Sequence, residues 1–201
     1  RLPQENYFYF ADTRFLPFDK GNGMAAGNPP NETGAPTAYL WEEVWQRDQW
    51  LEILGRYLVP ERNAKKQLTS YVFPRYHQLD ATRKLVDAVR SEGPGGRYLI
   101  QHSAGSGKTN SIAWLSHQLS TLHDADSGKV FDSVLVITDR DELDKQIEKV
   151  FKGVSESIER TKSGKDLVDC LNAPTPWLMC SLIHKFGHRE EADYEGYIED
   201  L

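Results

Sequence analysis

The amino-acid sequence predicts an α/β fold, in which a parallel sheet is flanked by helices and preceded by an irregular and helical segment. Two observations carry this prediction. After Tyr71, short apolar runs alternate with stretches of helical periodicity, and a glycine-rich loop lies between one such run and the next helix. Strands that alternate with helices are typical of parallel sheets, because each crossover helix covers one face of the sheet.

The segment that precedes the sheet has two parts. The first forty residues are rich in glycine, proline and asparagine, which predicts turns and irregular structure. From residue 40 to residue 59, apolar side chains recur at spacings of three, four and seven, which predicts one amphipathic helix that ends at Pro60. Residues 61–70 are polar and are interpreted as a linker.

The remaining elements follow from the same two periodicities. Ser163, which lies two residues before the helix predicted at residues 165–171, is a favourable N-cap. The predicted helices span residues 75–91, 107–122, 141–151 and 165–171. The predicted strands span residues 97–102, 131–138 and 177–183.

Bulk composition excludes some classes of protein. The chain has 201 residues, a net charge of −6 and 39% hydrophobic residues, which indicates a globular and not a disordered protein. No apolar run approaches the roughly 18 residues of a membrane span, so we expect no membrane partner. The two cysteines, Cys170 and Cys180, are not spaced as a metal site and are interpreted as reduced thiols. The net charge of the whole chain neither requires nor excludes a local DNA-binding surface.

The loop at residues 103–109 carries the chemistry of the chain. Gly105 and Gly107 allow positive φ angles, so that backbone N–H groups turn towards phosphate oxygens. The dipole and the free donors of the following helix favour the same anion. Lys108 is predicted to contact the β- and γ-phosphates, and the Thr109 hydroxyl is predicted to bind Mg²⁺. The loop therefore predicts ATP and Mg²⁺ as cofactors; a chance surface turn is the alternative.

Two further segments resemble motifs of superfamily 2 helicases, which also tolerate His102 in place of the first glycine of the phosphate-loop pattern. Residues 73–78 resemble the Q motif, where an amide reads adenine because it offers a donor and an acceptor together. Residues 136–146 resemble motif Ia, which contacts the nucleic-acid backbone. Surface polar residues and a capped helix start are the respective alternatives.

Taken together, most of the chain resembles the restriction (R) subunit of type I restriction–modification enzymes. The resemblance rests on residues 73–78, 102–115, 131–139 and 182–187, and on N-terminal stretches at residues 13–21, 26–31 and 39–44. It implies a RecA-like motor domain of the phosphate-loop NTPase class that is incomplete within residues 61–201, after a connecting region at residues 1–60. It also implies a cytoplasmic endonuclease that hydrolyses ATP to translocate double-stranded DNA and then cleaves the DNA far from its recognition site. The resemblance implies methyltransferase (M) and specificity (S) subunits as partners.

The resemblance assigns roles to individual residues. Lys108 and Thr109 take the catalytic roles, and Thr109 also binds the Mg²⁺ that accompanies ATP. The residues expected to bind the nucleotide are Arg75, Gln78, Ser103, Ala104, Gly105, Ser106, Gly107, Lys108, Thr109 and Asn110. The residues expected to contact DNA are Thr138, Arg140 and Lys185.

Other parts of such a motor are not found in the sequence. The nuclease cluster is expected upstream, and the acidic D-E-x-H motif and the second motor domain with its arginine finger are expected downstream. Two alternatives stay open: another superfamily 2 DNA helicase or translocase, and a nucleotide-gated DNA-binding module without turnover.

Overall fold

The computed structural model describes residues 18–23, 27–63, 65, 67–139 and 158–183. The described helices and strands occur in the order in which they are now given. A π-helix at Leu40–Val44 is followed by α1 (Arg47–Arg56), β1 (Val59–Arg62), β2 (Leu68–Val72) and α2 (Tyr76–Glu92). Then come α3 (Lys108–Ser120), β3 (Val134–Thr138), β4 (Glu159–Arg160), α4 (Gly164–Leu171) and β5 (Leu178–Leu182).

A parallel sheet confirms the predicted fold class. Its described strands lie in the order β3–β5–β4, and both pairings are parallel. Val134 pairs with Leu178, and the register continues to Thr138 opposite Leu182. All five residues of β5 are buried, as expected for a central strand covered on both faces. The described residues therefore form a three-stranded parallel sheet flanked by helices.

The helix that follows the glycine-rich loop packs against this sheet. Ala113 of α3 is fully buried and forms one apolar cluster with Val136, Leu178 and Cys180. On its other side, α3 packs against α2, where Val86 and Val89 meet Leu122 just beyond the end of α3. α3 is therefore held between the sheet and α2.

A second apolar cluster joins the N-terminal segment to the helices of the α/β part. Ile53 and Tyr57 are fully buried in one cluster with Leu79 of α2 and Trp114 of α3. Arg83 of α2 also pairs with Glu52 of α1, at 2.6 Å between the guanidinium and the carboxylate. The cluster thus spans the boundary predicted between residues 60 and 61, and the division into two regions stays a prediction.

The helix predicted over residues 40–59 is wrong as a single element. It divides into the π-helix and α1, because Gln46 has extended backbone angles (φ −58°, ψ 140°). The Gln46 carbonyl then accepts from the Trp50 N–H, which starts the new helix, and its side chain donates to the Trp41 carbonyl. Apolar spacing survives this break, so periodicity alone does not detect it.

The polar linker predicted at residues 61–70 is also wrong. The segment belongs to an antiparallel hairpin, in which β1 pairs with β2. Polar side chains stabilise this pairing across the strands: the Ser70 hydroxyl donates to the Glu61 carboxylate, and the Thr69 hydroxyl donates to the Glu61 carbonyl. Both strands are largely exposed, so the apolar alternation that signals a strand is weak.

The strand predicted at residues 97–102 does not form. These residues have no regular secondary structure, and the Leu99 side chain is 90% exposed. A strand requires a neighbour for its N–H and C=O groups, and no described strand lies beside this segment.

The other predicted elements agree with the structure to within a few residues. They are α2, α3, β3, β5 and α4, and Ser163 caps α4 by accepting from the Asp166 N–H. The helix predicted at residues 141–151 lies outside the described residues. No helix in the described part of the chain is long and apolar enough to cross a membrane.

Candidate nucleotide-binding site

The glycine-rich loop has the backbone shape that its two glycines were predicted to provide. Gly105 has φ 74° and Gly107 has φ 81°, both in the left-handed region that favours glycine. Gly107 is the N-cap of α3, and the helix begins at Lys108. The loop therefore leads directly into the N-terminus of α3, and the N-terminus of a helix favours a bound anion.

Backbone donors at this point are free to bind a ligand. Among the described residues, no carbonyl or side chain accepts a hydrogen bond from the N–H groups of Gly105, Gly107, Lys108 or Thr109. Gly107 and Thr109 are partly buried, where N–H groups normally have partners, whereas Gly105 and Lys108 are exposed. Four unused donors in five consecutive residues therefore form a cradle that suits phosphate oxygens.

A side chain in the first turn of α2 donates hydrogen bonds to two carbonyl groups of the same loop. The Gln78 side-chain amide donates to the Gly107 carbonyl at 2.8 Å and to the Ser106 carbonyl at 3.2 Å. Its oxygen accepts from the Arg75 N–H at 2.8 Å, which caps α2. Gln78 is buried, so these bonds are shielded from water. In a trans peptide the carbonyl and the following N–H point in opposite directions, so the N–H groups of Gly107 and Lys108 face away from Gln78.

The close approach of Gln78 explains why residue 107 must be glycine. A Cβ at Gly107 would lie 2.5 Å from Gln78 Nε2, closer than real contacts allow. At Gly105, a Cβ would meet no atom within 4 Å, so only the positive φ favours glycine there. Glycine is thus favoured at residues 105 and 107 for different physical reasons.

Two histidines lie at the base of the loop. His77 Nε2 is 3.0 Å from the Ser106 carbonyl oxygen, and the His77 and His102 rings meet edge to face with centroids 4.9 Å apart. Burial lowers the pKa of His102, and the neighbouring His77 and Lys108 lower it further. These effects favour the neutral form of His102. No sequence pattern indicated the His77 contact, because it joins residues 29 positions apart.

The predicted nucleotide-binding residues lie together around this loop. Lys108 is exposed as the first residue of α3, while Thr109 and Asn110 on the same turn are partly buried. Ser103 and Ala104 are exposed, Ser106 is buried, and Arg75 precedes α2 beside Gln78. One end of α2 and one end of α3 therefore bring all of these residues to a single site.

The predicted DNA contacts lie elsewhere or outside the described residues. Thr138 ends β3 with its side chain buried, and its hydroxyl makes no hydrogen bond within the described part of the chain. Arg140 and Lys185 lie outside the described residues. Contact of these three residues with DNA stays a prediction.

The residues of the loop fit a nucleoside triphosphate and its magnesium ion. The free N–H groups suit phosphate oxygens, and the Lys108 ammonium lies at the same helix start. The Thr109 hydroxyl makes no hydrogen bond with the described residues, and a hydroxyl oxygen is a ligand that Mg²⁺ accepts. The described residues contain no cluster of three or more histidine, cysteine or acidic side chains that could hold a metal.

Comparison with known proteins agrees with this site. The chain is 24% identical over 164 residues to a protein from Methanocaldococcus jannaschii that is named as the MjaIXP endonuclease subunit of a type I restriction enzyme. That match covers 78% of this chain and 15% of the relative, so the chain spans less than a sixth of the relative's length. The family model of the SWI2/SNF2 ATPases matches residues 77–200, which is more than half of the chain and includes the whole loop. The chain belongs to the SWI2/SNF2 ATPase family.

Proposed function

We propose that this chain is the ATP-binding part of the motor in a type I restriction enzyme, where ATP hydrolysis drives translocation along double-stranded DNA. The observation that carries the proposal is the set of unused N–H groups at the start of α3, with the loop carbonyls held by α2. The relative from M. jannaschii supports the restriction context. The methyltransferase and specificity subunits are the partners in this proposal.

Each loop residue has a defined part in the proposed reaction. The backbone N–H groups bind and orient the phosphates, so that the γ-phosphate is presented to water in a fixed position. The Lys108 ammonium stabilises the negative charge that develops on the γ-phosphate oxygens as the bond to the leaving group breaks. Magnesium neutralises phosphate charge when bound, with Thr109 as its ligand from this chain.

Gln78 is the proposed adenine-reading residue, and the structure adds a condition to that role. Its Nε2 already donates to two loop carbonyls, and its Oε1 already accepts from the Arg75 N–H. The oxygen retains a second lone pair for the amino group of adenine. Base recognition through this oxygen is therefore coupled to the shape of the phosphate-binding loop.

The remaining parts of the motor belong to other segments in this proposal. Residues 1–60 connect the nuclease to the motor, and residues 61–201 begin the first RecA-like domain. Arg140 and Lys185 meet backbone phosphates of DNA in this proposal, and Thr138, in the same motif as Arg140, also contacts DNA. The nuclease, the acidic D-E-x-H motif and the arginine finger are supplied by the rest of the full-length enzyme, which acts in the cytoplasm.

Another superfamily 2 translocase is the second candidate, because the SWI2/SNF2 match is not specific to restriction enzymes. One experiment separates the two candidates. In cells that carry the full system, Lys108→Ala should abolish restriction of unmodified DNA while leaving methylation intact, because methylation needs no motor. The methyltransferase and specificity subunits should copurify with the wild-type protein and with Lys108→Ala. Wild-type restriction by Lys108→Ala would contradict the proposal, and failure to copurify would favour the second candidate.

A further inference from the structure

A second set of contacts at the nucleotide site involves the two histidines at its base. His77 is the second residue of α2, and its Nε2 faces the Ser106 carbonyl at 3.0 Å. A carbonyl oxygen only accepts hydrogen bonds, so the ring must carry its proton on Nε2. This is a third bond from α2 to the loop, in addition to the two from Gln78.

His102 extends this contact to the other end of the loop. Its ring meets the His77 ring edge to face, with an interplanar angle of 86° and centroids 4.9 Å apart. Such a geometry is favourable for aromatic pairs. Glycine at this position, as in the common phosphate-loop pattern, would leave His77 without this neighbour. The two rings therefore connect residue 102, which enters the loop, with Ser106, which is near its end.

We infer that His77 and His102 act together as a brace that positions the phosphate-binding loop before the nucleotide arrives. This inference rests on the proposed nucleotide site and assigns two further positioning residues to it. The brace holds the Ser106 carbonyl towards α2, so that the free N–H groups of Gly107 and Lys108 keep their orientation towards the phosphates. Neither histidine takes part in bond breaking. A preformed loop binds its ligand more tightly, because less ordering is required on binding.

The electrostatic surroundings are compatible with this role. Burial lowers the pKa of His102, and electrostatic repulsion from His77 and from Lys108 lowers it further. A neutral His102 ring packs against His77 without repulsion between like charges. In its neutral form His102 adds no positive charge to the site.

Three substitutions at His77 test the inference in the full-length enzyme. His77→Phe keeps a ring for His102 but removes the donor, and His77→Gln places an amide N–H close to the position of Nε2. The affinity for ATP should fall about fivefold in His77→Phe, since Gln78 still donates to the Ser106 carbonyl. At saturating ATP the turnover number should stay near the wild-type value, and His77→Gln should recover most of the lost affinity. His77→Ala serves as the background for the His102 measurements.

His102 is tested by a double-mutant cycle with His77→Ala. His102→Gly should weaken ATP binding about threefold in the wild-type background, which is the typical value of an aromatic pair, and should have no further effect in His77→Ala. His123→Phe is the matched control because His123 is an exposed histidine, and it should bind ATP normally. Circular dichroism and thermal unfolding establish that each variant is folded.

Two results would overturn the brace. One is wild-type affinity for ATP in His77→Phe, and the other is equal losses from His102→Gly in both backgrounds. Lys108→Ala, measured in parallel, separates this inference from the proposed function. If Lys108→Ala stops ATP hydrolysis while His77→Phe binds ATP normally, only the brace is wrong. If Lys108→Ala hydrolyses ATP normally, the proposed function is wrong as well.

Discussion

The two loop glycines provide a matched pair of substitutions whose costs can be worked out from the structure. Gly105→Ala and Gly107→Ala both place a Cβ on a residue with positive φ, at 74° and 81°. Such a backbone costs an L-residue about 1–2 kcal/mol. At Gly105 the new Cβ meets no atom within 4 Å, so the backbone strain is the whole cost of the substitution. We expect about a fivefold loss of ATP affinity in Gly105→Ala, which corresponds to about 1 kcal/mol.

Gly107→Ala carries an additional cost. Its Cβ would lie 2.5 Å from Gln78 Nε2, so the amide must move away and lose its bonds to the Ser106 and Gly107 carbonyls. Each bond contributes about 1 kcal/mol. Added to the backbone strain, the total is about 3 kcal/mol, or roughly a 150-fold loss of ATP affinity.

The assay is competition of ATP with a fluorescent nucleotide on the full-length protein, with thermal unfolding as a check on folding. In a Gln78→Ala background, Gly107→Ala should cost only as much as Gly105→Ala does, because the clash is gone. Equal affinities for Gly105→Ala and Gly107→Ala in the wild-type background would refute the argument that Gln78 holds the loop.

Three other predictions concern the remaining parts of the site. Gln78→Ala should reduce the preference for ATP over GTP, and it should also weaken triphosphate binding by about thirtyfold because two loop bonds of about 1 kcal/mol each are lost. An unchanged nucleotide preference in competition assays would leave Gln78 with a structural role only. Arg140→Ala or Lys185→Ala should each flatten the salt dependence of DNA binding by the full subunit by about one charge, and an unchanged slope would contradict the predicted contact. The 201-residue chain alone should bind ATP weakly without hydrolysing it, because the acidic motif and the arginine finger are expected in other parts of the full-length enzyme. DNA-stimulated phosphate release by this chain that disappears in its Lys108→Ala variant would contradict the prediction.

The sequence was sufficient to predict the elements whose structure depends on local residue pattern. The apolar runs form the predicted strands β3 and β5, of which β5 is fully buried and β3 only partly. The glycine spacing around residues 105–107 predicted both the positive φ angles and the start of α3. Ser163 was identified as a cap because an N-cap acts within a few residues. Such features need no knowledge of distant neighbours.

Features that depend on distant contacts were missed. The segment at residues 97–102 has strand-like composition, but it forms no strand because no described strand lies beside it. Residues 61–70 are polar and yet pair in a hairpin, since Ser70 and Thr69 bond across it to Glu61. The contacts of His77 and Gln78 with the loop join residues 28 and 29 positions apart, so their coupling was not visible in the motifs.

The central claim is that the loop from residue 103 to residue 109 binds ATP for hydrolysis that DNA stimulates. The most direct test is phosphate release by the purified full-length enzyme, with and without double-stranded DNA, for the wild type and for Lys108→Ala. Removal of the ammonium takes away a principal stabiliser of the charge on the γ-phosphate. We expect DNA-stimulated release from the wild type and release at background level from Lys108→Ala in both conditions. Equal, DNA-stimulated release from the two proteins would contradict the account.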